Sequence, residues 1–301
     1  MEPVEVLCIG ETMALLAPLD GPLTEAERLR LDIGGAESTV ALYLREFGQR
    51  TAWLSRVGDD PFGERIVRTL SGHGVDTRFV RTDTEAPTGV YFKNPGIEKT
   101  TVHYYRAGSA ASRMGEGELD GVPLDELRLV HLSGITPALS ASCRALVEQV
   151  LALPKREGRE VCFDVNYRPA LWPVAEAAPV LRELAARADV VFVGQDEAQT
   201  LWGLDTPEEV RELIPGPRRL VIKDGAIGAS EFEGTRKTFV SARPVEVVEV
   251  VGAGDAFASG YLAGLLAGHE PAQRLAEGHE LAARTLRSTD DFVPVTRAAR
   301  T

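Results

Sequence analysis

Short apolar runs alternate with helix-length amphipathic segments along most of this chain, and that rhythm limits the folds open to it. The runs are VEVLCIG (4–10), TAWLSRVG (51–58), LRLVHLSG (127–134), REVCFDVN (159–166), DVVFVG (189–194) and RRLVIKDG (218–225). Between them lie GGAESTVALYLREFG (34–48), PFGERIVRTLSGHGV (61–75), ASCRALVEQVLALPKREG (141–158), VAEAAPVLRELAARA (174–188) and DEAQTLWG (196–203). Strands that are apolar on both sides and separated by helices predict a mainly parallel sheet covered on both faces, a three-layer α/β/α domain. No repeat or linker divides the chain, so residues 1–301 read as one domain.

Two segments break the rhythm. Residues 12–33 and 87–108 read as extended pairs around Gly/Pro turns without an intervening helix. They predict a small antiparallel sheet added near the strand ends, placed to act as a lid.

The chain carries a formal net charge of -12. That excludes a general nucleic-acid surface, which needs basic patches. No apolar run reaches the roughly 18 residues of a membrane span. The N-terminus lacks the cationic start and apolar segment of an export signal, so a cytoplasmic protein is expected. Cys8, Cys143 and Cys162 are widely spaced among apolar neighbours, as suits buried thiols. The five histidines show no metal-ligand spacing, and no G-x-S-x-G elbow is present.

Chemistry concentrates in a few places. In VVGAGDAFASGYLAGLL (250–266) Asp255 stands between Gly252-Ala253-Gly254 and an apolar helix. Glycines let amides approach a ligand, and a helix start adds unpaired N–H groups and a positive field, which together make an anion pocket. Asp255 there is either a helix cap or a base for a substrate hydroxyl. The small residues Ala256, Ala258, Ser259 and Gly260 suggest close packing of this helix on the sheet. The stretch is neither a Walker loop nor a dinucleotide fingerprint. FDVNYRPALW (163–172) places Asp164, Asn166 and Arg168 at the C-terminal edge of a strand, where open α/β sheets bind ligands. In HYYRAGSA (103–110) Tyr104 and Arg106 share one face if the segment is a strand, and an Arg fork beside phenols suits a carboxylate or phosphate. Gly34 and Gly35 either bring amides to a ligand or open a helix. Asp196 and Glu197 stand at a helix start, where they favour the dipole or help hold a hydrated Mg²⁺. Lys223, Gly225 and Gly228 fit either a phosphate loop or a β-hairpin turn.

Taken in order, GGAE, DVNYRPALW, the acidic helix start, VIKDGAIGA and GAGDAF resemble the ribokinase-like (PfkB-type) carbohydrate kinases over essentially the whole chain. Within that family, HYYRAGSAAS, HLSGITPALS and DVNYRPALW look like the 2-keto-3-deoxygluconate kinases, which pass the γ-phosphoryl group of ATP to a sugar-acid hydroxyl. The resemblance implies Asp255 as base and the Gly252, Ala253 and Gly254 amides as an anion hole. It implies Gly34, Gly35, Tyr91, Tyr104, Arg106, Arg168 and Asp290 on the sugar-acid side. Lys223, Gly225, Gly228 and Gly254 would lie along ATP, with Glu197 orienting Mg²⁺ through water. A homo-oligomer paired through the lid strands is also implied.

Three positions depart from the family pattern. Thr39 and Gly194 stand where Asn, or Asn or Ser, is usual, and Glu277 where an Asn commonly lies near adenine. Two other functions fit parts of the pattern. A neutral-sugar kinase has less need of two converging arginines, and a non-catalytic sugar-binding regulator has no need of Asp255 in an unbroken GAGD.

Overall fold

The fold is given by a computed structural model that describes residues 3–96 and 100–294. Nine strands form the main sheet. In chain order they are β1 (Val6–Ile9), β4 (Thr51–Gly58), β5 (Val80–Asp83), β8 (Leu129–Ser133), β9 (Glu160–Asp164), β10 (Val190–Gly194), β11 (Arg219–Asp224), β12 (Gly228–Glu233) and β13 (Arg236–Ser241). The lateral order is β13-β12-β11-β10-β9-β8-β1-β4-β5. From β11 to β5 every pairing is parallel, and only the β11–β12–β13 edge is antiparallel.

Alternation along the strands builds two cores. Leu7 and Ile9 face one side with Val130, Leu132, Phe163, Val191 and Ile222. Against them pack α4 (Ala141–Leu151), α5 (Val174–Arg187), α6 (Gln195–Trp202) and α7 (Pro207–Leu213). Val6 and Cys8 face the other side with Trp53, Leu129, Phe192 and Val221. That side is covered by α1 (Ala36–Glu46), α2 (Pro61–Gly72), α8 (Ala253–Leu266) and α9 (Pro271–Thr285). A short helix, α3 (Ile135–Leu139), follows β8. The three-layer expectation holds. All three cysteines are free and buried, and among the described residues no helix is long and apolar enough to cross a membrane.

The second sheet holds β2 (Met13–Pro18), β3 (Leu29–Gly34), β6 (Val90–Asn94) and β7 (Thr101–Tyr105), in the order β3-β2-β6-β7. Residues 97–99 of the expected lid segment lie outside the described residues, as do the ends of the single domain. One correction is needed: β2 and β6 pair in parallel, so this sheet is mixed. The chain leaves β3 for the core, builds α1 to β5, and re-enters beside β2 in the same direction, which no local hairpin signal encodes.

The apolar helix α8 also departs from expectation. Its glycine contact serves a helix rather than the sheet, since a Cβ on Gly260 would lie 2.5 Å from the Glu277 carbonyl oxygen of α9. Large rings meet the sheet instead: Phe257 and Tyr261 lie edge-on to Phe192, with centroids 6.4 and 5.2 Å away.

Candidate active site

A cleft opens where the C-terminal ends of the parallel strands meet the small sheet. It is lined by Glu11, Met13, Gly34, Gly35, Thr39, Tyr91, Tyr104, Arg106, Ile135, Arg168, Gly252, Asp255 and Asp291, among others. Of the residues singled out from sequence, Gly34, Gly35, Tyr91, Tyr104, Arg106, Arg168, Gly252 and Asp255 therefore come together.

The floor is the start of α8. Gly252 precedes the helix at φ 85°, a left-handed conformation that glycine adopts without the penalty of a side chain. This turn sets the first amides of α8 outward, and no side chain caps them. The Ala253 amide closes a 3.4 Å turn onto the Val250 carbonyl, so Gly254 and Asp255 supply the open N–H groups of the helix start. Lys223 lies beneath, its Nζ 3.7 Å from where a Gly254 Cβ would stand. Amides, helix field and ammonium together make a site for an anionic group.

Asp255 is not a capping side chain, so the cap alternative drops out. Its carboxylate faces the cleft while protein crowds its other sides. Loss of hydration pushes its pKa up to about 7, Arg168 and Lys223 pull it down, and Asp164 and Glu37 add to the rise. A carboxylate poised near neutrality suits proton abstraction. Asn166 Nδ2 donates to Asp255 Oδ1 at 3.3 Å. Asn166 itself has φ 38°, a left-handed conformation that Asn tolerates better than most residues.

That strained turn is held by Glu197. Its Oε1 accepts from the Tyr167 amide and its Oε2 from the Gly194 amide, both at 2.7 Å. Glu197 thereby positions the loop that carries Asn166 and Arg168. Its pKa is raised, by burial first and then Asp164, against Lys223, the Gly194 amide and Arg168. Among the described residues no group of three or more His, Cys, Asp or Glu side chains is placed to hold a metal ion. The donor set thus fits an ion carried on nucleotide phosphates and met here only through water.

Most charges in and behind the cleft are paired. Glu11 pairs with Arg106, with Nε to Oε2 at 2.6 Å. Lys93 pairs with Asp291 at 2.6 Å, and Asp291 also accepts from the Tyr91 hydroxyl at 2.9 Å. Lys223 pairs with Asp164 at 2.8 Å; burial alone would lower its pKa, but Asp164, Glu197 and Asp255 hold it raised. Arg168 makes no ion pair with the described residues. Its field acts on Asp255 and Glu197 without a direct ion pair to either. Tyr104 and Arg106 share a face as the strand reading required, with the guanidinium 5.6 Å from the ring, while Tyr105 is exposed on the other side.

Several residues fall elsewhere. Asp290 does not line the cleft. It binds Arg30 at 2.5 Å and lines a neighbouring cavity with Asp32 and His73; Asp291 takes the position beside the sugar-side groups. Gly225 and Gly228 do not line this acceptor-side cleft; they lie at the turn of the β11–β12 hairpin, whose first strand carries Lys223 to the start of α8. Glu277 lies on α9 and meets His269 at 2.8 Å. Thr39 lines the cleft, whereas Gly194 caps α6 behind it. Glu11, Lys93 and Asp291 were missed. Glu11 had a readable signal, an acid one glycine past the apolar strand VLCI, a cue close to the one that marked Asp164.

An α/β sheet with an open helix start suited to an anion, a carboxylate raised toward neutrality and a polar cleft beneath a second sheet fits a phosphoryl-transfer enzyme for a small polar acceptor. The description pfkB family carbohydrate kinase matches residues 4–295, and the chain belongs to that family. It is 37% identical over 282 residues to a 2-dehydro-3-deoxygluconokinase of Thermoproteus tenax, covering 90% of this chain and 85% of that protein. A crystal structure of a PfkB protein from Polaromonas sp. JS666 superposes with TM-score 0.88 at 34% identity, covering 95% of this chain and 97% of the other. An uncharacterized sugar kinase from Pyrococcus horikoshii, solved in complex with ATP, superposes with TM-score 0.84 at 26% identity over 95% and 94%. The family expected from the motifs is borne out.

Proposed function

We propose that this kinase transfers the γ-phosphoryl group of ATP to the 6-hydroxyl of 2-keto-3-deoxygluconate, with Asp255 taking the hydroxyl proton. The observation that carries the acid substrate is the charge pattern of the cleft. Arg106 and Lys93 already have carboxylate partners, so Arg168 offers its charge to an anion from outside. Arg106 adds its one terminal nitrogen not turned toward Glu11.

The acceptor lies between Gly34, Tyr91, Tyr104 and the two arginines, with its reacting oxygen at Asp255. Asn166 steadies the carboxylate, and ionised Asp255 accepts the proton as the oxygen attacks. The open amides of Gly254 and Asp255 and the Lys223 ammonium receive the developing charge of the transferred group. Mg²⁺ bound to the nucleotide phosphates supplies the charge neutralisation that the side chains here do not. The small sheet closes over the acceptor and excludes water, and its outer strand, with exposed Tyr104 and Tyr105, pairs two subunits in a cytoplasmic homo-oligomer.

One observation favours a neutral-sugar acceptor instead: Glu11 already compensates Arg106. A coupled ADP-release assay separates the readings, run with ketodeoxygluconate, ketodeoxygalactonate, gluconate, fructose and ribose, and with the product's phosphorylated carbon assigned by NMR. Turnover of a ketodeoxy acid with phosphate on carbon 6 supports the proposal. Turnover of neutral sugars alone overturns it, and ligand binding without turnover of any acceptor supports the regulator.

A further inference from the structure

We infer that Glu11 is the hinge pin of the small sheet and the positioning residue for Arg106; the part concerning the acceptor rests on the function proposed above. The chain crosses between the two sheets four times: at residues 10–12 between β1 and β2, at Gly35 between β3 and α1, at 84–89 between β5 and β6, and after β7 from Arg106 onward. All four crossings meet at Glu11. It belongs to the first. In the second, a Cβ on Gly35 would stand 2.5 Å from the Glu11 carbonyl oxygen. In the third, a Cβ on Gly89 would stand 2.8 Å from Glu11 Oε1 and 3.4 Å from the Arg106 Cβ. In the fourth, Arg106 donates to Oε2 at 2.6 Å and Ser109 donates to Oε1.

Such convergence has a physical consequence. Glu11 is 3% exposed, and its two oxygens are taken by the same return crossing that delivers Arg106 to the cleft. A buried carboxylate of this kind is stable only while its partners stay in place. The Glu11 side chain therefore ties the last two crossings together and sets the direction of the Arg106 fork, while its backbone carbonyl packs against the Gly35 crossing. Nε and Nη2 of Arg106 face Glu11, so Nη1 is the one guanidinium nitrogen not turned to it. The backbone bonds Ala14 N to Gly89 O (3.0 Å) and Ala110 N to Pro87 O (2.8 Å) knit the crossings around it and report their opening.

Glu11→Gln tests this, since the amide keeps the shape and removes the charge. Hydrogen exchange followed by mass spectrometry is expected to accelerate at least tenfold in peptides containing Ala14, Ser109 and Ala110, with β8 and β9 unchanged. The KM for the acceptor is expected to rise at least tenfold while the KM for ATP stays within twofold. Ser109→Ala, a milder change in the same bond set, is expected to accelerate the same peptides to a smaller degree. Unchanged exchange in those peptides, or an equal rise throughout the core, overturns the hinge assignment; so does an equal rise in both KM values. The exchange readout needs no substrate. A wild-type enzyme inactive on sugar acids refutes the function, and exchange then judges the hinge by itself.

Discussion

Replacing Asp255 by Asn removes a charge and keeps the shape, and it has two consequences of opposite value to the protein. General-base assistance contributes about 10²–10⁴ in rate, so kcat is expected to fall by about a thousandfold with little change in acceptor KM. Stability moves the other way. The folded-state pKa of about 7 lies above the ordinary value of 3.8, so the folded protein binds this proton more tightly than the unfolded chain. The stability that the protonated group contributes is whole below about pH 4 and is lost as pH rises toward 7. Working the linkage through, the raised pKa costs the fold about 2 kcal/mol at pH 5 and about 4 kcal/mol at pH 8. The Asp255→Asn variant carries no such cost, so its advantage should grow by roughly 2–3 kcal/mol between those pH values. The α8 field favours the ionised form and removes about 1 kcal/mol of that. With unfolding entropy near 2.1 cal/mol/K per residue, the remainder is a Tm gain of roughly 2–3 °C at pH 8 relative to pH 5. Thermal unfolding of both proteins at the two pH values, beside ADP release at pH 8, measures both effects. Turnover within tenfold of wild type, or a Tm difference that does not change with pH, would refute the reasoning.

Other outcomes follow from the same geometry. Arg168→Met removes the chief group lowering the Asp255 pKa; the acid limb of the kcat/KM profile should move to higher pH, and the acceptor KM should rise at least tenfold. Gly252→Ala places a Cβ at φ 85°, 3.0 Å from the Asp291 Cα, and should cost about 1–2 kcal/mol from the left-handed backbone alone, read by urea unfolding, with kcat lowered as the amides turn. Chelation by EDTA should abolish turnover and leave Tm within about 1 °C, because the metal rides on the nucleotide; Mg²⁺ should restore activity.

The three-layer domain was legible because its signal is local: apolar strands of four to eight residues, helix stops at Gly48 and Gly203, and polar residues at the strand ends at Asp164 and Asn166. The second sheet was legible as extended chain, but its β2–β6 pairing was not. Partners such as Ala14 and Val90 are far apart in the chain and are brought together by the core segment between them. The site divided in the same way. Asp255, Arg168 and Arg106 stand in motifs whose residue types imply their chemistry. Asp291 was missed by one position because the turn before it directs Asp290 to Arg30. Lys223 was read as a nucleotide contact, and its buried partner Asp164, 59 residues away, could not be read from spacing. Glu11 acts through groups almost a hundred residues distant, and sequence shows only a lone acid after a strand.

The identity of the acceptor rests on Arg168 being the cleft's unpaired cation. The ratio of kcat/KM for 2-keto-3-deoxygluconate to that for fructose, with saturating ATP and Mg²⁺, puts this to the test. A charge-assisted pair contributes about 1.5–3 kcal/mol, so the ratio should exceed about ten and fall steeply in Arg168→Met. A ratio at or below one in the wild-type enzyme would contradict the account.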